Sequence, residues 1–196
     1  MRIVGGVSVV KLVILGGPGS GKGTQAALLC RHLDILLIST GEIFRRAIAA
    51  QTDLGKKAQP YVEKGELVPD PIAIELIRDR LTQADTSRGW LLDGYPRTAF
   101  QAEELDFFLE RTGEQRPWAI HLQVPEDVLL ARCLNRREQR PDDSPEFVCR
   151  RIQLFNERTI PILDYYDYCH QLVTVNGNQP SELVLQEILT GIMVNK

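Results

Sequence analysis

With 23 lysines and arginines against 26 aspartates and glutamates in 196 residues, the chain has a net charge of −3, which excludes a protein that holds nucleic acid by bulk charge. Its longest apolar runs fall far short of a membrane span, so no membrane partner is expected. The length suits one domain with small inserted lobes. Cys30, Cys133, Cys149 and Cys169 form no close pair and no Cys-x-x-Cys; reduced thiols in a cytosol are expected, and no zinc. His32, His121 and His170 are scattered and read as solvated or core side chains rather than catalytic ones. The N-terminal stretch is too mixed to read as a secretory signal.

In chain order, Val9–Leu15 is a short, β-branched apolar run, the pattern of a buried parallel strand. Gly16-Gly17-Pro18-Gly19-Ser20-Gly21-Lys22-Gly23-Thr24-Gln25 follows, and Gln25–Leu33 is free of breakers and predicts a helix. Strand, glycine loop and helix form the setting a phosphate-cradling loop requires. Glycines let successive N–H groups converge on one anion, and the helix adds the positive end of its dipole. Lys22 supplies a cation for the outer phosphates. Gly23 stands where such loops usually carry Ser or Thr, so Thr24 is not assigned as a direct magnesium ligand. This is a nucleotide-binding loop.

Ile35–Ile38 predicts the second strand, and Ser39–Asp70 two or three short helices, with a kink or early break at Pro60. A helix over Pro71–Gln83 leads to a strand at Trp90–Leu92. Asp93, at that strand's carboxyl end, would sit beside the phosphate loop and hold magnesium through water, or else cap the turn. Arg97 follows Pro96 in a fixed turn, so its guanidinium is aimed. Further helices are predicted at Ala99–Thr112, Pro125–Gln139, Pro145–Cys169 (kinked at Pro161) and Pro180–Val194, with strands at Ala119–Gln123 and Leu172–Val175. The alternation predicts an α/β fold on a parallel sheet.

Arg132 and Arg136 stand at i and i+4 on the predicted helix, and Arg140 lies in the polar run Arg137–Pro145, a lid-like loop or an ordinary solvated connection. With Arg45, Arg97 and Arg151 they could surround a transferring phosphoryl group with fixed cations. Arg31, Arg46, Arg78, Arg80 and Arg111 read as solvated.

These motifs resemble the nucleoside monophosphate kinase family, and within it the adenylate kinases of the short-lid form. The blocks that carry the resemblance are the loop at 16–25, Ser-Thr-Gly-Glu-Ile-Phe-Arg at 39–45 and Lys-Gly-Glu-Leu-Val-Pro-Asp at 64–70. Asp-Gly-Tyr-Pro-Arg-Thr-x-x-Gln at 93–101 and the arginines from 132 to 151 complete them. The resemblance implies a single domain over 1–196 with a P-loop NTPase-like, five-stranded parallel sheet, an AMP-binding segment at about 39–68 and a short lid at about 137–145. It implies reversible transfer between Mg-ATP and AMP giving two ADP, by a cytoplasmic monomer.

By the same resemblance Gly19, Ser20, Gly21, Lys22, Gly23 and Thr24 hold the ATP phosphates, with Arg136 and the Gln179 backbone near the ATP base. Thr40, Arg45, Glu66, Leu67, Val68, Gly94, Tyr95, Pro96 and Arg97 bind AMP, and Gln101 reads its base edge. Arg132, Arg140 and Arg151 reach the phosphates. Thr40 and Gln101 follow the adenylate pattern where UMP/CMP relatives carry alanine and asparagine, so AMP is favoured over a pyrimidine monophosphate. A UMP/CMP kinase and a non-catalytic nucleotide switch are the rivals; no Asn-Lys-x-Asp guanine-reading motif is present. Glu42 and Phe44 depart from the commoner Asp and Leu. Only Arg137, Glu138 and Gln139 separate Arg136 from Arg140, so Arg137 or Arg140 takes the lid-arginine role. The long lid with zinc cysteines is absent.

Overall fold

The computed structural model describes residues 9–135 and 144–194. Five strands form one parallel sheet in the order β2–β3–β1–β4–β5: β1 (Val10–Leu15), β2 (Leu36–Ser39), β3 (Gly89–Asp93), β4 (Trp118–Gln123) and β5 (Leu172–Asn176). The central strand β1 is buried on both faces and its side chains alternate between two cores. Leu12 and Ile14 pack with Ala26 and Leu29 of α1 (Lys22–Leu33) and with Val184 and Ile188 of α9 (Ser181–Val194). Val13 and Leu15 face the other way, onto Ile74 and Ile77 of α4 (Asp70–Leu81), Leu105 of α5 (Ala99–Arg111) and Ile162 and Tyr166 of α8 (Ile160–Tyr168).

The chain leaves β1 through α1 to the edge strand β2, and the connection from β3 to β4 crosses over β1. Register sets Ile14 beside Asp93 and Leu15 beside His121. The carboxyl ends of β1 and β3 therefore open the crevice where doubly wound sheets bind ligands. Between β2 and α4 lie α2 (Thr40–Ala49) and α3 (Asp53–Val62), each started by a hydroxyl cap. Ser39 Oγ accepts from Glu42 N–H at 3.4 Å and Thr52 Oγ1 from Gly55 N–H at 3.1 Å.

The structure corrects the helices in three places. The helix predicted to Gln139 is α6, Glu126–Leu134, ending on Asn135. The single helix predicted from Pro145 to Cys169 is α7 (Pro145–Leu154), a π-helical turn at Phe155–Thr159, then α8. Pro161 has no N–H and its ring would crowd the Glu157 carbonyl, so the backbone widens in the turn before it rather than merely bending. Pro60 does not break α3 early; the helix runs to Val62, two residues past the proline, and Glu63 N–H still reaches Gln59 O at 3.0 Å. The lid expected at 137–145 falls outside the described residues except for Ser144 and Pro145, the cap and first residue of α7.

Candidate active site

The glycine loop leaves β1 and turns into α1 through Gly21, whose left-handed φ of 93° lets the helix begin at Lys22. At Gly19 two constraints coincide. Its φ is +81°, and a Cβ there would stand 2.6 Å from the Leu129 carbonyl and 3.0 Å from Cys133 Sγ. The loop rests on Leu129 and Cys133 of α6, which pack in turn with Val148 and Ile152 of α7, so only glycine fits there.

Lys22 does not project into empty space. Its Nζ donates to the carbonyls of Gly16 at 2.6 Å and Gly17 at 2.8 Å, folding the ammonium back over its own loop. Burial lowers its pKa to about 8, opposed by the Asp93 carboxylate and reinforced by Arg97 and Arg151. The folded value lies below the ordinary 10.5, so between about 8 and 10.5 the unfolded chain binds more protons than the native one. Stability of the nucleotide-free protein contributed by this group therefore rises with pH across that window, and the unfavourable contribution is complete below about 8. Binding of a phosphate anion needs the charged form. The pH profile of kcat/KM for ATP is expected to fall about tenfold per pH unit above a break near pH 8, while kcat at saturating ATP holds to higher pH. A kcat/KM profile flat from pH 7 to 10 would refute the role of Lys22 as the anion's cation.

Across the crevice, β3 ends in Asp93 and Gly94, followed by a cis peptide between Tyr95 and Pro96. Arg97 is braced by donation from its Nε to Gly94 O at 2.8 Å. Thr40 Oγ1, at the start of α2, donates to Asp93 O at 3.2 Å and ties the α2–α3 segment to the sheet. Tyr95 is buried and its hydroxyl donates to Gln101 O at 3.1 Å; burial pushes its phenol well above the usual tyrosine range.

One cavity of about 670 Å³ joins both sides, within the range of small-molecule sites. Of the residues expected from the sequence, Gly19, Gly21, Lys22, Gly23 and Thr24 line its phosphate end, and Asp93, Gly94, Tyr95, Pro96, Arg97 and Gln101 its floor. Thr40, Arg45, Glu66, Leu67 and Val68 line the far wall, and Arg132 and Arg151 the side near α6 and α7. Arg132 is also held from behind, donating to Gly177 O at 3.1 Å and Asn178 Oδ1 at 3.0 Å. Arg151 sits in the last turn of α7.

Two expected residues are not on the cavity wall. Ser20 is 2 % exposed, its Oγ packed toward Gly16, so any ligand contact it makes is through the backbone. Gln179 lies on the turn into α9, its Nε2 buried among the described residues. Arg136, Arg137 and Arg140 are outside the described residues. The cavity also takes Phe44, read from the sequence as a departure from the commoner Leu, and Phe155 and Thr159, which sequence reading did not single out. Phe155 and Thr159 bound the π-helical turn, for which no sequence rule is available beyond the proline that follows.

The match to known proteins agrees with this geometry. The adenylate kinase family model matches residues 14–171. The chain is 59 % identical over 185 residues to adenylate kinase 2 of Nostoc sp. strain PCC 7120, covering 94 % of this chain and 100 % of that protein. It is 51 % identical to adenylate kinase 2 of Synechocystis sp. strain PCC 6803 (93 % and 100 %) and 44 % identical to adenylate kinase of Cyanothece sp. strain PCC 7425 (92 % and 93 %). The family model over residues 14–171, similarity over nearly the whole length and a five-stranded parallel sheet that fits this fold together place the chain in the adenylate kinase family.

Proposed function

We infer that the chain catalyses reversible phosphoryl transfer, ATP plus AMP giving two ADP. The observation that carries this is the single cavity, which has the phosphate loop at one end, the α2–α4 segment at the other, and arginines between. A switch that hydrolyses one triphosphate has no use for the second lobe. The segment at 39–68 holds AMP, with Thr40, Arg45, Glu66 to Val68 and the Gly94–Arg97 turn around it, and 137–145 serves as the lid.

The reaction is in-line displacement. An oxygen of the AMP phosphate attacks the terminal phosphorus of ATP as the bond from that phosphorus to the bridging oxygen of ADP breaks. Among the described site residues none pairs a nucleophile with a base, so no covalent enzyme intermediate is invoked. The loop amides, Lys22, Arg97, Arg132 and Arg151, with the lid arginine at Arg137 or Arg140, neutralise charge on the transferring group. Arg136 and the Gln179 backbone border the ATP base, and closure over both nucleotides excludes water.

Adenylate kinases generally use magnesium with ATP, and the residues fit a hydrated ion. Asp93 lines the cavity near Lys22 and Thr24, whereas no group of three or more His, Cys, Asp or Glu side chains gathers among the described residues to hold a bare one. Bound with ATP, magnesium would supply positive charge to the phosphates, and Asp93 would hold it through water. We propose that the activity belongs to a cytoplasmic monomer, by analogy with the adenylate kinase family.

The test is a coupled assay with ATP, magnesium and each of AMP, UMP, CMP and GMP. ADP formation with AMP is expected to exceed that with the others by at least tenfold, since a base that leaves a buried amide unpaired loses a hydrogen bond. Faster turnover with UMP or CMP, or triphosphate hydrolysis with no acceptor used, would overturn the assignment.

A further inference from the structure

We propose that Asp70 is a positioning residue that decides which purine the site accepts, by locking the Gln101 amide in one of its two orientations. The proposal rests on the adenylate kinase reading above and adds to it a residue that does not line the cavity. Gln101 Nε2 donates to Asp70 Oδ1 at 2.7 Å, and Gln101 Oε1 accepts from the backbone N–H of Arg97 at 2.8 Å. Both partners act in one direction only, since a carboxylate accepts and a peptide N–H donates. Rotating the amide by half a turn would set NH₂ against N–H and oxygen against carboxylate. Gln101 is 2 % exposed, so solvent does not relieve that mismatch. An amide whose direction is ordinarily ambiguous is here fixed by chemistry.

What remains follows from valence. Nε2 keeps one hydrogen and Oε1 one lone pair, and Gln101 lines the cavity. The site thus offers a base one acceptor and one donor in fixed order. Adenine presents a matching edge, an exocyclic amine that donates beside a ring nitrogen that accepts. Hypoxanthine and guanine present the reverse, a carbonyl oxygen beside a ring N–H, and meet donor with donor. Asp70 is itself held. It opens α4 directly after Pro69, and Thr98 Oγ1, the cap of α5, donates to the same Oδ1 at 3.3 Å.

The experiment compares kcat/KM for AMP and for inosine monophosphate, whose edge is reversed, in wild type and Asp70→Asn. An asparagine turns either its oxygen or its amide toward Gln101, which releases one end of the lock while keeping the shape. The AMP-to-IMP ratio is expected to fall about tenfold, chiefly through a higher KM for AMP, because a hydrogen bond to a charged partner is lost. A ratio unchanged within twofold, with only the melting temperature lowered, would overturn the proposal and leave Asp70 as a tie between α4 and α5. If the asparagine variant does not fold, Asp70→Ser supplies the same comparison. Gln101→Leu separates the levels. A ratio that collapses in Gln101→Leu but holds in Asp70→Asn rejects Asp70 alone, whereas a ratio that holds in both rejects the base-reading assignment along with it.

Discussion

Replacing Lys22 by methionine is expected to lower kcat by about 10²–10³-fold, the loss seen when one preorganised donor to transition-state charge is removed. The stem is preserved, so shape is a minor term. What disappears is a cation that already lies over the loop, bonded to Gly16 O and Gly17 O, and that charge on the transferring phosphoryl group would draw away. Its ammonium is held with a pKa lowered to about 8 by burial, which makes the ligand-free lysine an unfavourable charge awaiting an anion. Methionine removes that unfavourable burial and also leaves two carbonyls without this donor, and the effects oppose each other. The melting temperature should therefore shift by only a few degrees. Circular dichroism with steady-state kinetics checks both halves. Near-normal turnover in a folded variant would remove Lys22 from the chemistry, and a variant that unfolds would make the lysine a clip for the loop instead.

The parts of the molecule written in local pattern were legible. Strands such as Val10–Leu15 and Trp118–Gln123 are apolar and bounded by breakers, and the glycine loop announces itself because few other chemistries need that spacing. Contacts between distant segments were not. Gln101 could be read as a base-facing amide, but its dependence on Asp70, 31 positions away, exists only after α4 and α5 pack. Lys22 could be read as a phosphate cation, yet its resting place on Gly16 and Gly17 is set by the curl of the loop. The π-helical turn before Pro161 shows the same limit: the proline predicts a disturbance, while packing of Ile162 and Tyr166 into the core decides its form.

Gly55 makes that point quantitatively and gives the second large effect. In isolation Gly55→Ala should favour helix by about 1 kcal/mol, because alanine loses less backbone entropy. In the folded chain the added Cβ would overlap the Ala47 carbonyl and crowd Ile48 N, backbone atoms of α2 that cannot rotate aside. Ala47 O is further fixed by Thr52 N–H at 3.1 Å, and Thr52 in turn caps α3. Overpacking costs about 1–3 kcal/mol, so the steric term wins and α3 must move away from α2. Val62 ends α3 and Glu66 to Val68 come shortly after it, and all line the cavity wall opposite the glycine loop. The expected result is a KM for AMP raised about tenfold, within the range that this strain can supply, a KM for ATP within about twofold of wild type, and a melting temperature lowered by a few degrees. Equal rises in both KM values would mean that the α2–α3 pair and the phosphate loop move as one body, and unchanged kinetics would mean that the pair spreads without disturbing the wall it carries.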